Sequence, residues 1–323
     1  MTKNMKLIAL FLLVFTTHVL SACTPLQHKS SVAYITNQGD NTVSVIDISQ
    51  NKVISTIKVG KAPVGVAVSG KLQRVFISNV ESNNISVINT QNNIVIESIA
   101  LQGSPVGLAM APNHRTLFVA DWFSDKILAI DTGNYDKRRE LTVATAPAGL
   151  IVSPDSKTLY VAARDSNEIA VIDTKTFTVN KRIAVGKHPF GLSLSANGDT
   201  LYSVNVYDNT ISVVNTKTWQ QSSIKVGEHP YCAVPSPDNK TLYVTNTQDD
   251  TVSVIDLKTQ KIINTIDVGM TPEGISYDAV SKQVLVASWG ENKVSVIDAQ
   301  TNKLIGHIKT GDKSRAFGSF ILQ

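Results

Sequence analysis

The segment Val43-Ser44-Val45-Ile46-Asp47 recurs six more times, and this repetition constrains the fold more than any single residue. The copies end at Asn89, Asp131, Asp173, Asn215, Asp256 and Asp298, at steps of 42, 42, 42, 42, 41 and 42 residues. Seven copies of one unit imply one closed repeat architecture, and a period near 42 with several strand-like runs per unit is that of a propeller blade. The expected fold is all-β: a seven-bladed β-propeller with four antiparallel strands per blade. What recurs in every unit reads as scaffold, and what breaks the pattern reads as a candidate for function.

The unit from Pro147 shows the strands well. Runs at Ala148 to Val152, Thr158 to Ala162, Ile169 to Ile172 and Val179 to Val185 are rich in β-branched and aliphatic residues. Pro, Asp, Ser, Asn and Gly fill the joints. No stretch after the N-terminus carries a long 3.6-residue apolar period, so almost no helix is expected. Asp or Asn ends every third strand, which suits an Asx-turn into the next hairpin. Gly closes the fourth strand at Gly60, Gly103, Gly186, Gly227, Gly269 and Gly311, with Thr145 near that point in the third unit. Pro-x-Gly then opens the next inner strand in five units, Pro fixing φ and Gly admitting close backbone approach near the axis.

The repeats begin mid-unit at Val32 to Thr36, and the chain finishes with Ala316-Phe317-Gly318-Ser319-Phe320-Ile321, which matches a first strand. The terminal strands should therefore pair and complete one blade, removing exposed edges. Tyr34-Ile35-Thr36-Asn37, Tyr243-Val244-Thr245-Asn246 and the repeated Ser-Val-Ile-Asp resemble the YVTN family of β-propeller repeat proteins, over about residues 32 to 323. The resemblance implies the propeller fold, an extracytoplasmic location and a ligand funnel on one face. It implies no reaction, because propellers host many unrelated functions.

Lys3 and Lys6 precede an apolar run from Leu7 to Leu20, too short for a comfortable membrane span and suited to a signal peptide over residues 1–22. Leu20-Ser21-Ala22-Cys23 reads as a bacterial lipobox with Cys23 lipidated; the alternative is an ordinary secretory signal with a chance cysteine. Residues 23–31 then form the lipidated Cys and a polar tether, and 32–323 the propeller. Thr24, rather than Asp, after the cysteine points to the outer membrane facing the periplasm, if the envelope is Gram-negative. Without the two leader lysines the chain has 28 basic and 26 acidic residues, a balance that gives no charge argument for nucleic acid. Cys232 is the one remaining thiol, so no intramolecular disulfide is expected. A monomer is expected, held to the membrane through Cys23.

The departures from the repeat gather on one face. Loops from strand four to the next strand one, and loops between strands two and three, ring the same channel mouth. Around Pro-x-Gly the first three units carry Ala62, Val64, Ser104, Val106, Ala146 and Ala148. The next four equivalents read as His188-Phe190, His229-Tyr231, Thr271-Glu273 and Arg315-Phe317. In the other loops the residue after the second strand is Gln38, Val80, Trp122, Arg164, Val206, Thr247 or Trp289, with Phe123 and Tyr207 following closely. The candidate ligand-binding set is thus Trp122, Phe123, Arg164, His188, Phe190, Tyr207, His229, Tyr231, Glu273, Trp289, Arg315 and Phe317. Aromatic walls with a few charged groups suit a small organic ligand or an envelope protein partner. The bland alternative is that bulky side chains merely plug the channel.

Two sharper readings stand beside this one. His188, His229 and Cys232 offer imidazole and thiolate ligands for zinc or copper in a metal-binding envelope protein, with Glu273 one blade further on. Against this, adjacent blades can hold such groups well apart, and Cys232 can serve as a small apolar residue. His114 and His307 read as surface residues near turns. Glu273, His188 and Arg315 could serve a lactonase-like hydrolase if all three reached one substrate. No haem, nucleophile-elbow or phosphate-loop motif is present, so no catalytic residue and no cofactor is assigned. Asp249-Asp250 fall in a polar turn and are expected to face water.

Overall fold

The computed structural model of the protein describes residues 31–323, so the leader, Cys23 and all of the tether except Ser31 lie outside them. Seven sheets form the ring. Blade 2 runs outward from the axis as Pro63–Ser69, Arg74–Asn79, Asn84–Asn89 and Ile94–Ala100. Blades 3 to 7 repeat this from inner strands that start at Pro105, Pro147, Pro189, Pro230 and Pro272. Blade 1 has Val32–Asn37, Thr42–Asp47 and Lys52–Lys58, and takes its inner strand from the C-terminus. Among the described residues the one helical element is a single 3-10 turn, Arg164–Ser166.

The Tyr-x-Thr-Asn strand works as a set of ties between blades. Tyr243 Oη donates to Asn302 Oδ1 of the next blade at 2.7 Å, and Tyr34 Oη to Asn93 at 3.2 Å. Thr36 Oγ1 donates to the carbonyl of Val64, and Thr245 Oγ1 to that of Glu273, fixing the neighbouring inner strand. Asn37, Asn79, Asn205 and Asn246 each donate from Nδ2 to two polar side chains at the start of the third strand. These buried amides are why the closing glycine is glycine. A Cβ at Gly60, Gly186, Gly227 or Gly311 would lie within 2.7 Å of that side chain in the adjacent blade. Where Ala163 takes the Asn position, Ala144 replaces the glycine.

Both turn expectations hold. The carboxylate or amide ending the third strand accepts from backbone amides two or three residues on in all seven blades. A Cβ at Gly65, Gly107, Gly149 or Gly274 would sit 2.1–2.2 Å from the next inner strand's carbonyl, so at these four places the inner strands approach closer than any side chain allows. Apolar residues from adjacent sheets fill the gaps between blades, with Tyr34, Phe76, Phe118 and Tyr243 fully buried.

Ring closure differs from the expected register. The isolated bridge is Ser314 to Asn37, Arg315 N donates to the Thr36 carbonyl, and only Ile321 and Leu322 pair with Val32–Asn37 as a ladder. Between them Phe317–Ser319 swings across to pair in parallel with Gly65, Val66 and Ala67 of blade 2. Gly318, at φ +111°, makes this detour. The equivalents of the last blade are therefore Lys313 and Arg315, not Arg315 and Phe317. Lys313 shares the left-handed φ of Ala62, Ala146, His188, His229 and Thr271. The reason is the missing Pro-x-Gly: Gly318 imitates the motif, whereas Gly311 keeps the true two-residue spacing seen from Gly186 to His188.

Candidate functional site

The backbone of the mouth is set before its side chains are. In blades 1, 3, 4, 5, 6 and 7, an Asn or Asp in the loop between strands two and three has positive φ and accepts from the amide opening the next blade. Asn167 thus holds the His188 amide at 2.9 Å, and Asn209 the His229 amide at 3.0 Å. Asp250 belongs to this device, accepting from Thr271 N, while the exposed Asp249 accepts from Glu228 N in the loop that opens its own blade, so both do more than face water.

On this frame the twelve candidates form one connected network with two different halves. The first half is a plug. Arg315 Nε donates to Glu273 Oε2 at 2.5 Å, Nη2 to Tyr231 Oη at 2.7 Å, and Nη1 to Gln38 Oε1 at 3.3 Å. Trp289 Nε1 donates to the same Gln38 oxygen at 3.0 Å, and the Lys313 ammonium lies 5.2 Å over the Trp289 ring. Phe190 packs on Tyr231 at 4.2 Å and on Phe317 at 4.9 Å between ring centres. Burial raises the Glu273 carboxyl, and the Arg315 guanidinium pulls it back only in part. Burial also works against the Arg315 charge, but Tyr231 and Glu273 overcome it and hold the guanidinium cationic. The plug satisfies its own polar groups.

The second half is a ridge over blades 3 to 6. Arg164 stacks on Trp122 with its guanidinium carbon 4.3 Å from the ring centre, and Trp122 meets Phe123 at 6.4 Å. Arg164 Nε donates to Asp165 at 2.8 Å, and His188 Nε2 lies 3.4 Å from the same carboxylate. His188 stacks on Tyr207 at 3.9 Å, and Tyr207 meets His229 edge-on at 5.8 Å. Burial and then Arg164 push His188 below the ordinary histidine range, with Asp165 opposing. Phe123 is 76% exposed and Tyr207 58%, so this half presents aromatic surface to solvent. Trp122 against Phe190, at 5.7 Å, joins ridge to plug.

The metal and hydrolase sets do not assemble in this way. Tyr207 packs against both histidine rings, and no group of three or more His, Cys, Asp or Glu side chains converges among the described residues. Cys232 is buried and its thiol is pushed up by desolvation, which disfavours the thiolate a metal needs. It lines a cavity of about 710 Å³ that opens toward the opposite end of the channel, with Met110, Leu150, Leu192 and Tyr277. His114 also lines that cavity, half-buried and 2.8 Å from Ser69 Oγ, rather than standing on the surface. His307 is exposed, but within the outer strand Lys303–Lys309 rather than near a turn. Glu273 and Arg315 engage each other, whereas His188 engages Asp165 and Tyr207. Among the participants, Gln38, Asp165 and Lys313 were not candidates. Gln38 stands in the loop series that supplied Trp122, Arg164 and Trp289, and Lys313 is marked by its spacing from Gly311; Asp165 has no such signal.

A family model described as YNCE-like beta-propeller matches residues 67–206 and 193–279. No curated protein matches the chain. Among solved structures, Kuenenia stuttgartiensis hydrazine synthase superimposes with a TM-score of 0.75 at 20% identity, covering 82% of this chain and 91% of that one. A functionally unknown protein from Desulfotomaculum acetoxidans gives 0.76 at 14% identity, with 89% and 99% covered. Dihydro-heme d1 dehydrogenase NirN, in complex with DHE, gives 0.66 at 14% identity, with 90% and 74% covered. At these identities the likeness is one of fold.

Proposed function

We propose, from the premise that this chain belongs to the YNCE-like beta-propeller family, that it is a binding scaffold whose aromatic ridge engages a protein partner. The observation that carries this reading is the contrast between the mouth's halves. Glu273, Arg315 and Tyr231 are spent on one another, while Phe123, beside Trp122, and Tyr207, stacked on His188, are left exposed. Rigid aromatic anchors beside an arginine are the side chains that dominate protein interfaces. A small ligand would need a concavity on this side, and the plug fills the place where the channel would supply one. The scaffold is tethered to the envelope through a lipid at Cys23, at the outer membrane in a Gram-negative cell.

The test is a photo-crosslinking amino acid at position 207 in intact cells, with position 180 on the outer rim as reference. A discrete adduct at 207 that Phe123→Ala weakens, and that is missing at 180, is the expected result. No adduct at 207, or the same adducts at both positions, would sink the reading. Mass analysis of Cys23 tests the anchor separately.

A further inference from the structure

The outer rim carries an asymmetry that the mouth leaves unexplained. In blades 1, 2, 6 and 7 the outer strand contains a bulge, and the residue it skips is isoleucine each time. These are Ile54, Ile96, Ile263 and Ile305, at 50%, 44%, 56% and 51% exposure. Blade 4 has the same bulge with Asn180, and the matching points in blades 3 and 5 are Arg138 and Gln221. Ile94, Ile262 and Leu304 widen the apolar side of the rim alone. The four outer strands are successive neighbours around the ring, so the isoleucines form one arc. Bulges commonly protect edge strands by bending them, and an apolar residue set on the bulge faces outward, unpaired.

Charge identifies the occupant. The same four outer strands hold Lys52, Lys58, Lys261, Lys303 and Lys309 against Glu97 and Asp267. Apolar residues interleaved with lysines suit an anionic lipid surface, where the isoleucines enter the interface and the lysine heads stay among the headgroups. The described chain also starts here: the Ser31 carbonyl accepts from Ile48 N, beside the turn leading into Lys52–Lys58. Cys23 lies eight residues upstream of Ser31, so a lipid on it sits within about 28 Å of this side of the ring.

We propose that the isoleucine–lysine arc of blades 6, 7, 1 and 2 is a membrane-contact face that seats the propeller on its rim. The lipid at Cys23 holds the protein at the membrane, and the arc fixes its orientation. The ridge on blades 3 to 6 is then directed largely away from the bilayer. The placement rests on the lipid-anchor reading, but the arc can be tested without it.

The first test uses the full lipidated chain in phosphatidylcholine–phosphatidylglycerol vesicles, with an environment-sensitive fluorophore on Ile305→Cys or Asn180→Cys. The expected result is a blue shift and quenching by brominated lipid at 305 only; equal responses at both sites would overturn the proposal. The second uses the closed ring, residues 31–323, floated with the same vesicles. Replacing Ile54, Ile96, Ile263 and Ile305 with Gln should lower flotation about tenfold or more, with melting unchanged. Flotation equal in both forms would overturn it. So would a dimer of the parent ring that the Gln variant abolishes, which would assign the arc to a second copy. Absence of lipid on Cys23 by mass analysis would sink the anchor alone, because the flotation arm does not use it.

Discussion

The plug and the ridge are built from the same loop positions, yet one is closed and the other open. In the plug, blades 6, 7 and 1 place Tyr231, Glu273, Arg315 and Gln38 so that each polar tip finds another. In the ridge, blades 3 to 6 place Trp122, Phe123, Tyr207 and two histidines in a row of ring contacts flanked by Arg164, leaving Phe123 and Tyr207 largely to water. Equivalent positions on a repeat scaffold therefore diverge by chemistry alone. The teaching is that a mouth residue is functional by what it leaves unsatisfied, not by where it stands.

The harshest way to break the comparison is to remove residues 316–323. That deletes Phe317 from the plug and the fully buried Phe320 from the closing blade, so the melting temperature should fall by more than about 10 °C. Arg315→Ala comes next. It strands the buried Glu273 carboxylate and should cost about 3–5 kcal/mol by urea denaturation, with Glu273→Leu combined with Arg315→Met recovering part of the loss. Asn167→Gly keeps the backbone conformation but removes the acceptor for the His188 amide. It should cost about 1 kcal/mol and weaken the adduct at 207. Tyr207→Ala should change stability by no more than about 0.5 kcal/mol, since the ring is mostly exposed, while abolishing partner binding. A loss of stability there as large as that of Arg315→Ala would erase the distinction between the halves.

The mildest effect is that of pH. His188 is depressed by burial and then by Arg164, and His307, though on the exposed outer strand, by partial desolvation and then by Lys293. Their folded forms bind fewer protons than the unfolded chain, so stability is present above about pH 6.5 and declines as pH falls below it. Asp173, Asp256 and Asp298 are held low chiefly by the turn amides of Thr176, Thr259 and Thr301, giving a second decline below about pH 4. Urea midpoints at successive pH values should show both steps, and His188→Gln should shrink the first only.

Much of this was legible from spacing. The repeated Ser-Val-Ile-Asp placed every third strand, and its final Asp or Asn predicted seven Asx-turns that the structure contains. Pro-x-Gly located five inner strands and the loops of the mouth. The last blade departs from its expected alignment because Gly318 imitates that motif, and a local pattern cannot show that a strand detours onto its neighbour. The histidine pair looked like metal ligands because sequence gives equivalence between blades but not what lies between them. Here both imidazoles are engaged by the Tyr207 ring. A histidine in a turn is expected to face outward, whereas here His114 reaches Ser69 and lines the cavity.

The sequence by itself determined the number of blades, the order of strands and most of the residues at the mouth. Those follow from a repeat whose hydrogen-bonding and packing are local to one unit and its neighbour. Tertiary structure alone decided that Arg315 pairs with Glu273, that Phe317 enters the channel, and that four bulged isoleucines line one side of the rim. Each depends on groups brought together by closing the ring, and residues such as Gln38 and Arg315 are 277 positions apart along the chain. Distance of that kind leaves no mark in a 42-residue period.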